Sequence, residues 1–517
     1  MTSGMTQMVP GMQMMPPPPP LLGPLLPRHG EPGWSVWSRK VWPIDPLATA
    51  PPRLLAAAPV AALLGTALWR PSVLSIGYLV TGLIVFGVVY ATAHRRPTRR
   101  EWCGIALTLA LLAVPGLLAA EWLGVLCIMT AWITGWLTIV GGHTWTAVFT
   151  GPFVPWASPA RVLGWVRRGA SGSVAHGRIP DIGRVAVVAG VTVAVALVFG
   201  GLFAAADVAF AHVLGSFTPA LQVDEFVARS GVFLIVAAFV LGGGYLLRFP
   251  PRLDALAPAP GKPVRRWEWA VPLGVLDALF LVFVAVQATV LFGGHAHVLK
   301  TEGLTYAEYA RQGFWQLLWV SALTLLVLAA VIRVAARVTG ADRRVLRILV
   351  GILCATSVVV VISAIHRMWL YQEAYGFSVQ RLMVITIELW LGAVFLLVAA
   401  AGVRMTARWL PQAVLVAGVL ALLGLAALDP ERLVADRNID RFERTGELDA
   451  KYLSTLSSDI DPAVHRLPEQ VQLCVPSPHR EPEPWYLFNL SRSRADRPTD
   501  TDRPELCLQY GWDEYRY

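Results

Sequence analysis

From Leu54 to about Leu428 the chain alternates long apolar runs with mostly short polar stretches. Crossing a hydrocarbon layer of about 30 Å takes about 20 residues in a helix. Eleven runs approach or reach that length: 54–69, 73–92, 104–120, 122–141, 185–206, 230–247, 269–292, 314–332, 346–366, 383–403 and 410–428. The pattern predicts an all-α, polytopic transmembrane helical bundle of about eleven spans. The first and third runs are short enough to be partly interfacial. Pro115 and the Gly242–Gly244 run fall inside spans, where neighbouring helices can satisfy the freed backbone groups. The glycine run lacks phosphate-loop spacing and reads as a site of close helix packing.

Two regions break this pattern. Residues 1–53 are rich in Met and Pro, with an unbroken run from Pro16 to Pro20. Such a stretch buries too little apolar area to offset its ordering entropy and reads as a disordered tail. Residues 429–517 carry 18 acidic against 12 basic side chains. Asp429-Pro430 and Asp461-Pro462 each read as an N-cap followed by Pro at the first helical position. Leu448, Tyr452, Leu453 and Leu456 share a helical face. This region predicts a small helical extramembrane domain. The long loop at 142–184 interleaves Trp145, Phe149, Phe153, Trp156 and Trp165 with Arg161, Arg167 and Arg168, a composition suited to the headgroup layer.

Composition supports lipid as the solvent. Hydrophobic residues make up 55% and charged residues 15%, with a mean hydropathy of +0.55. A soluble domain needs about 25% charged residues to cover its surface. The net charge is +9, yet no nucleic-acid-binding pattern accompanies it. The basic residues instead follow the loops. Six alternate segments, starting with the N-terminal tail, carry 25 Lys and Arg, the five between them carry 6, and the C-terminal tail carries 12. This asymmetry places the N-terminus in the cytoplasm. An odd span count then puts the C-terminal domain outside. There, Cys474 and Cys507 are candidates for a disulfide, while Cys103, Cys127 and Cys354 read as small apolar core residues.

The chain has no P-loop, HExxH, CxxC pair or GxSxG. No catalytic constellation, metal set or cofactor is implied. His295 and His297 read as part of an exposed loop. Thr305 to Phe314 leads into the eighth span; Thr305 and Glu308 fit a capping box. Tyr306, Glu308, Tyr309 and Arg311 there form a candidate interface or gate. His366, Arg367 and Tyr371 close the ninth span, and Tyr375 and Arg381 open the tenth. Asp277 and Glu388 are acids inside apolar runs, as Asp207 is at a span end. An intramembrane carboxylate is a functional candidate by default. Glu388 could pair with His366 or Arg367, which would make it a helix-packing ion pair or a proton- or anion-handling group.

Several ordered pieces together resemble a bacterial family of polytopic membrane proteins of unknown function, DUF4173 and the related DUF4153. They are Ala206–Phe210, Phe292–Gly294, Tyr306–Phe314, Arg367–Tyr371, Tyr375-Gly376 and Arg381, then Asn438–Leu453, Asp459, Pro462, Trp485, Asn489–Arg492 and Arg494-Ala495. The resemblance implies a membrane fold in a bacterial cell membrane and no particular reaction. Three functional classes stay open: a transporter or channel using Asp277 and Glu388; a sensor or assembly partner contacting another membrane protein through the tail; and a membrane-embedded enzyme.

Overall fold

A computed structural model describes residues 41–42, 47–70, 73–93, 95–175, 223–257, 264–292, 314–335, 339–404, 406–476, 483–495 and 505–510, with isolated positions between 192 and 203. Their regular elements are all helices, with no strand among the described residues; one isolated bridge joins Val264 to Ala335. The main helices are α1 (Pro52–Leu68), α2 (Gly77–Ala91), α3 (Arg99–Leu117), α4 (Glu121–Val140), α5 (Pro159–Ala175) and α6 (Val223–Arg248). They continue as α7 (Arg266–Phe292), α8 (Phe314–Val334), α9 (Gly340–Tyr375), α10 (Val379–Arg404), α11 (Leu410–Ala427) and α12 (Pro430–Thr445). Eight of them, α3, α4 and α6–α11, are long and apolar enough to cross a membrane; α1 and α2 are shorter apolar helices. The run at 185–206 lies outside the described residues, apart from the isolated helical positions.

Residues exposed on these helices include Leu279, Val282, Trp319, Leu326, Ile362 and Leu396. Apolar surface of this extent would be unstable in water and is the normal outer face of a span bundle. Helix association in lipid depends on close packing. A Cβ on Gly244 would come within 2.6 Å of Leu54, and one on Gly65 within 2.8 Å of Val236. The glycines therefore let α6 approach α1, running antiparallel to it.

Two cores result. One gathers α1, α2, α4, α5 and α6 around Trp136, Trp165 and Leu246. The other gathers α7–α10 around Leu273, Leu328, Leu353 and Phe395. Leu111, Leu123, Val419 and Leu425 join the halves where α3 and α4 meet α11.

The bundle has two distinct ends. At one, Asp254 accepts from the amides of His143 and Thr144, Gln412 donates to the Gly142 carbonyl, and Arg248 donates to the Thr92 carbonyl. Arg266 pairs with Asp342 at this same end. All these contacts join loops from the arginine-rich set. At the other end, the described residues between 429 and 510 share a core of their own, including Val434, Ile439, Leu453, Val464 and Val475. Cys474 and Cys507 are disulfide-bonded within it.

Four local expectations change. The stretch from His366 to Tyr371 closes no turn: α9 continues for 36 residues, through Tyr375, and stops at Gly376. Asp429 makes no capping hydrogen bond and takes a left-handed backbone (φ 49°) just before Pro430. Asp461 is itself the first helical residue of its short helix, so Ile460 occupies the cap position. Of the face expected around Leu448–Leu456, only Ala450–Ser454 is helical.

Candidate functional site

Two groups of buried acids differ in what surrounds them. Asp277 on α7 is 3% exposed and Glu388 on α10 is fully buried. None of their four carboxylate oxygens has a hydrogen-bond partner among the described residues. Both helices are otherwise apolar around these positions, so each acid follows from one polar residue placed on an inward face.

The register of α9 against α10 sets their depth. Positions 392 and 402 of α10 face Val361 and Val350 of α9. Glu388 therefore lies roughly level with residue 365, one turn nearer the tail. Arg266 meets Asp342 and Gln287 meets Ser363, so α7 and α9 run parallel in one register and Asp277 lies roughly level with residue 353. At a rise of 1.5 Å per residue, the two acids are about 18 Å apart along the bundle axis. Buried polar side chains occupy the levels around them. Ser357 on α9 and Ser321 on α8 have no hydrogen-bond partner among the described residues. Ser363 donates a long bond, 3.4 Å, to the Gln287 side chain. Gln372 lies about 10 Å beyond Glu388 toward the tail, and its amide nitrogen has no partner among the described residues. These buried polar residues are scattered through the second core on more than one face of α9.

The other proposed members fall elsewhere. His366 is exposed and Arg367 half-buried, and Glu388 forms no ion pair with either among the described residues. Arg381 turns away from Glu388 because better partners lie in its own turn. It donates to the Gly376 carbonyl and stacks 4.3 Å over the Tyr371 ring. Tyr371 packs on Tyr375 at 4.9 Å. Tyr306, Glu308, Tyr309 and Arg311 lie outside the described residues, as do Asp207, His295 and His297. No group of three metal-ligating side chains occurs among the described residues.

The second group of acids docks the tail. Asp459 accepts from the Ala119 and Ala120 amides at 2.8 and 2.9 Å. These amides sit at the N-terminal end of α4, where helix geometry leaves donors unsatisfied and the dipole favours an anion. Glu431 accepts from Trp122 Nε1 at 3.0 Å and from the Ser457 amide at 2.7 Å. Asn489 donates to the Pro115 and Leu118 carbonyls at 2.9 and 2.7 Å, closing the C-terminal end of α3. The Ile76 amide donates to the Phe488 carbonyl.

The α9–α10 turn is held in the same way. Asn438 exchanges two hydrogen bonds with the Phe377 backbone, and the Val379 amide donates to the Tyr452 hydroxyl at 2.9 Å. Burial, with Asp459 close by, pushes the Asp429 carboxyl up to about 7. Glu431 is raised too, chiefly by burial. No local pattern in the sequence marks these docking roles. Asn438, Asp459 and Asn489 were visible only as members of a resembling pattern.

The fold thus defines a multi-pass α-helical membrane protein with a docked helical tail. A family model described as a domain of unknown function, DUF4153, matches residues 102–467. The chain belongs to that family. No curated protein and no solved structure matches it.

Proposed function

We propose that this protein is transporter-like and moves protons through the core between α7, α8, α9 and α10. Asp277 and Glu388 are the proton-carrying groups. The observation that supports this reading is the pair of buried carboxylates with no hydrogen-bond partner among the described residues. An acid in this setting is costly to keep ionised and without partners, and such residues characteristically mark proton and ion pathways. Ser357, Ser363 with Gln287, and Gln372 supply intervening and flanking polar groups that water can bridge.

In the proposed orientation the N-terminus is cytoplasmic and the tail faces outward. The arginine-rich loops at the far end support it, and the Cys474–Cys507 disulfide fits an oxidising compartment. The ordered pieces from Ala206 to Ala495 favour the DUF4173 branch and a bacterial cell membrane. A second reading makes the tail a contact surface for a membrane-protein partner. It is favoured by Trp485, which is 71% exposed beside the docked Asn489.

The test uses full-length protein in liposomes loaded with a pH-sensitive dye under an imposed membrane potential. The wild type should pass protons faster than empty vesicles, and Asp277→Asn and Glu388→Gln should each fall to the empty-vesicle rate. Equal flux in the wild type and both variants would overturn the proton reading. Loss of partner capture on removing residues 429–517, with flux unchanged, would favour the second reading.

A further inference from the structure

A pocket of about 250 Å³ opens at the arginine-rich end, between α5, Ala48 and the last turns of α6. Its walls include Arg161, Trp165, Arg168, Tyr245 and Phe249. Local packing builds it. Gly169 lets α5 lie directly on the segment that leads into α1, since a Cβ there would sit 2.5 Å from the Ala50 carbonyl oxygen. The Ala50 amide donates to the Trp165 carbonyl, and Arg168 Nε donates to the Ala48 carbonyl. Trp165 packs edge-on to Tyr245, with ring centroids 5.5 Å apart. Trp42 donates to the Phe249 carbonyl, and the Arg161 guanidinium lies 4.3 Å over its ring.

Two buried donors in this wall, Arg161 Nη1 and the indole nitrogen of Trp165, have no hydrogen-bond partner among the described residues. Among the described residues no acidic side chain lines the pocket. Arg161 and Arg168 both line it opposite Tyr245 of α6. A half-buried cation with an unused donor calls for an anion, and a planar guanidinium suits phosphate oxygens in particular. The same stretch of chain exposes Phe149, Phe153, Trp156 and Leu163, the side chains that settle into a lipid interface. Basic pockets at this level of a membrane protein suit anionic headgroups.

We infer that this pocket binds a phosphate-bearing anion at the membrane surface, with the Arg161 and Arg168 guanidiniums as its donors. The anion's source is either the headgroup of an acidic phospholipid or free phosphate.

The experiment uses full-length protein in detergent micelles, with phosphatidylglycerol, phosphatidylcholine and inorganic phosphate as separate probes. Retained lipid is read by native mass spectrometry and phosphate by equilibrium dialysis. Preferential retention of phosphatidylglycerol, at least tenfold weaker in Arg161→Gln and Arg168→Gln but unchanged in Arg344→Gln, establishes a headgroup site. Saturable phosphate binding with the same dependence and no lipid preference establishes a free-anion site. If the arginine variants fail to fold, Ala160→Phe fills the pocket from an exposed position and should abolish the same binding. Absence of saturable binding for every probe, or an equal loss in Arg344→Gln, overturns the assignment.

Discussion

Asp459 and Asp277 are both buried aspartates, 2% and 3% exposed, yet they stand in opposite situations. Asp459 meets two backbone amides at a helix start and has each oxygen satisfied. Asp277 lies within a helix whose own backbone groups are already bonded, and neither of its oxygens is matched among the described residues. Glu431 and Glu388 repeat the contrast. Burial alone therefore does not identify a working acid. What matters is whether the fold supplies donors for the charge. Helix ends carry unsatisfied amides, and the tail's acids use them; helix interiors carry none.

Substitutions should separate the two groups. The largest effect belongs to Asp459→Ala, which strands two buried amides and should cost about 3 kcal/mol or more. Thermal unfolding of the purified protein in detergent, with proteolysis of the tail as a second readout, measures it. Unchanged unfolding would remove the docking role. Asn489→Ala leaves the Pro115 and Leu118 carbonyls without its amide. Carbonyl oxygens tolerate this better than amides do, so the cost should be smaller, about 1–2 kcal/mol in the same assay.

Asp277→Asn and Glu388→Gln sharpen the comparison from the other side. Neither removes a bond seen in the structure, so unfolding should shift by less than about 1 kcal/mol in either direction while proton flux disappears. A large loss of stability would instead place these acids in the structural group.

The smallest effect is a pH dependence. Asp429 holds its proton more tightly docked, at about 7, than at its ordinary value of 3.8. A raised carboxyl contributes most to docking below its ordinary value, and that contribution is lost as pH rises through 7. Proteolysis of the tail should therefore be slower at pH 5.5 than at pH 8, and Asp429→Asn should flatten the difference. Faster cleavage at the lower pH would contradict this environment for Asp429.

Much of the bundle was legible because its length scale is imposed from outside. A span must be long and apolar, so runs such as 122–141 and 410–428 stand out in the chain. The end of α9 was not legible. His366 to Tyr375 is polar and aromatic and looks like a turn, but no glycine or proline interrupts it before Gly376, and the tail packs against the turn that follows. Asp277 and Glu388 were legible as isolated acids in apolar surroundings. The isolation of Glu388 was not, because Arg381 prefers the Gly376 carbonyl and the Tyr371 ring beside it. Least legible was the docking of Asp459 on Ala119, a contact 340 residues apart in the chain. No periodicity carries information over that distance.

The most direct test asks whether Asp277 and Glu388 exchange protons while Asp459 does not. Infrared difference spectroscopy across a pH titration, on full-length protein in lipid nanodiscs, reports protonated carboxyl groups directly. Reversible carboxyl bands should disappear one by one in Asp277→Asn and Glu388→Gln and persist in Asp459→Asn. Bands that ignore both intramembrane substitutions, or that vanish with Asp459→Asn, would contradict their proton-carrying role.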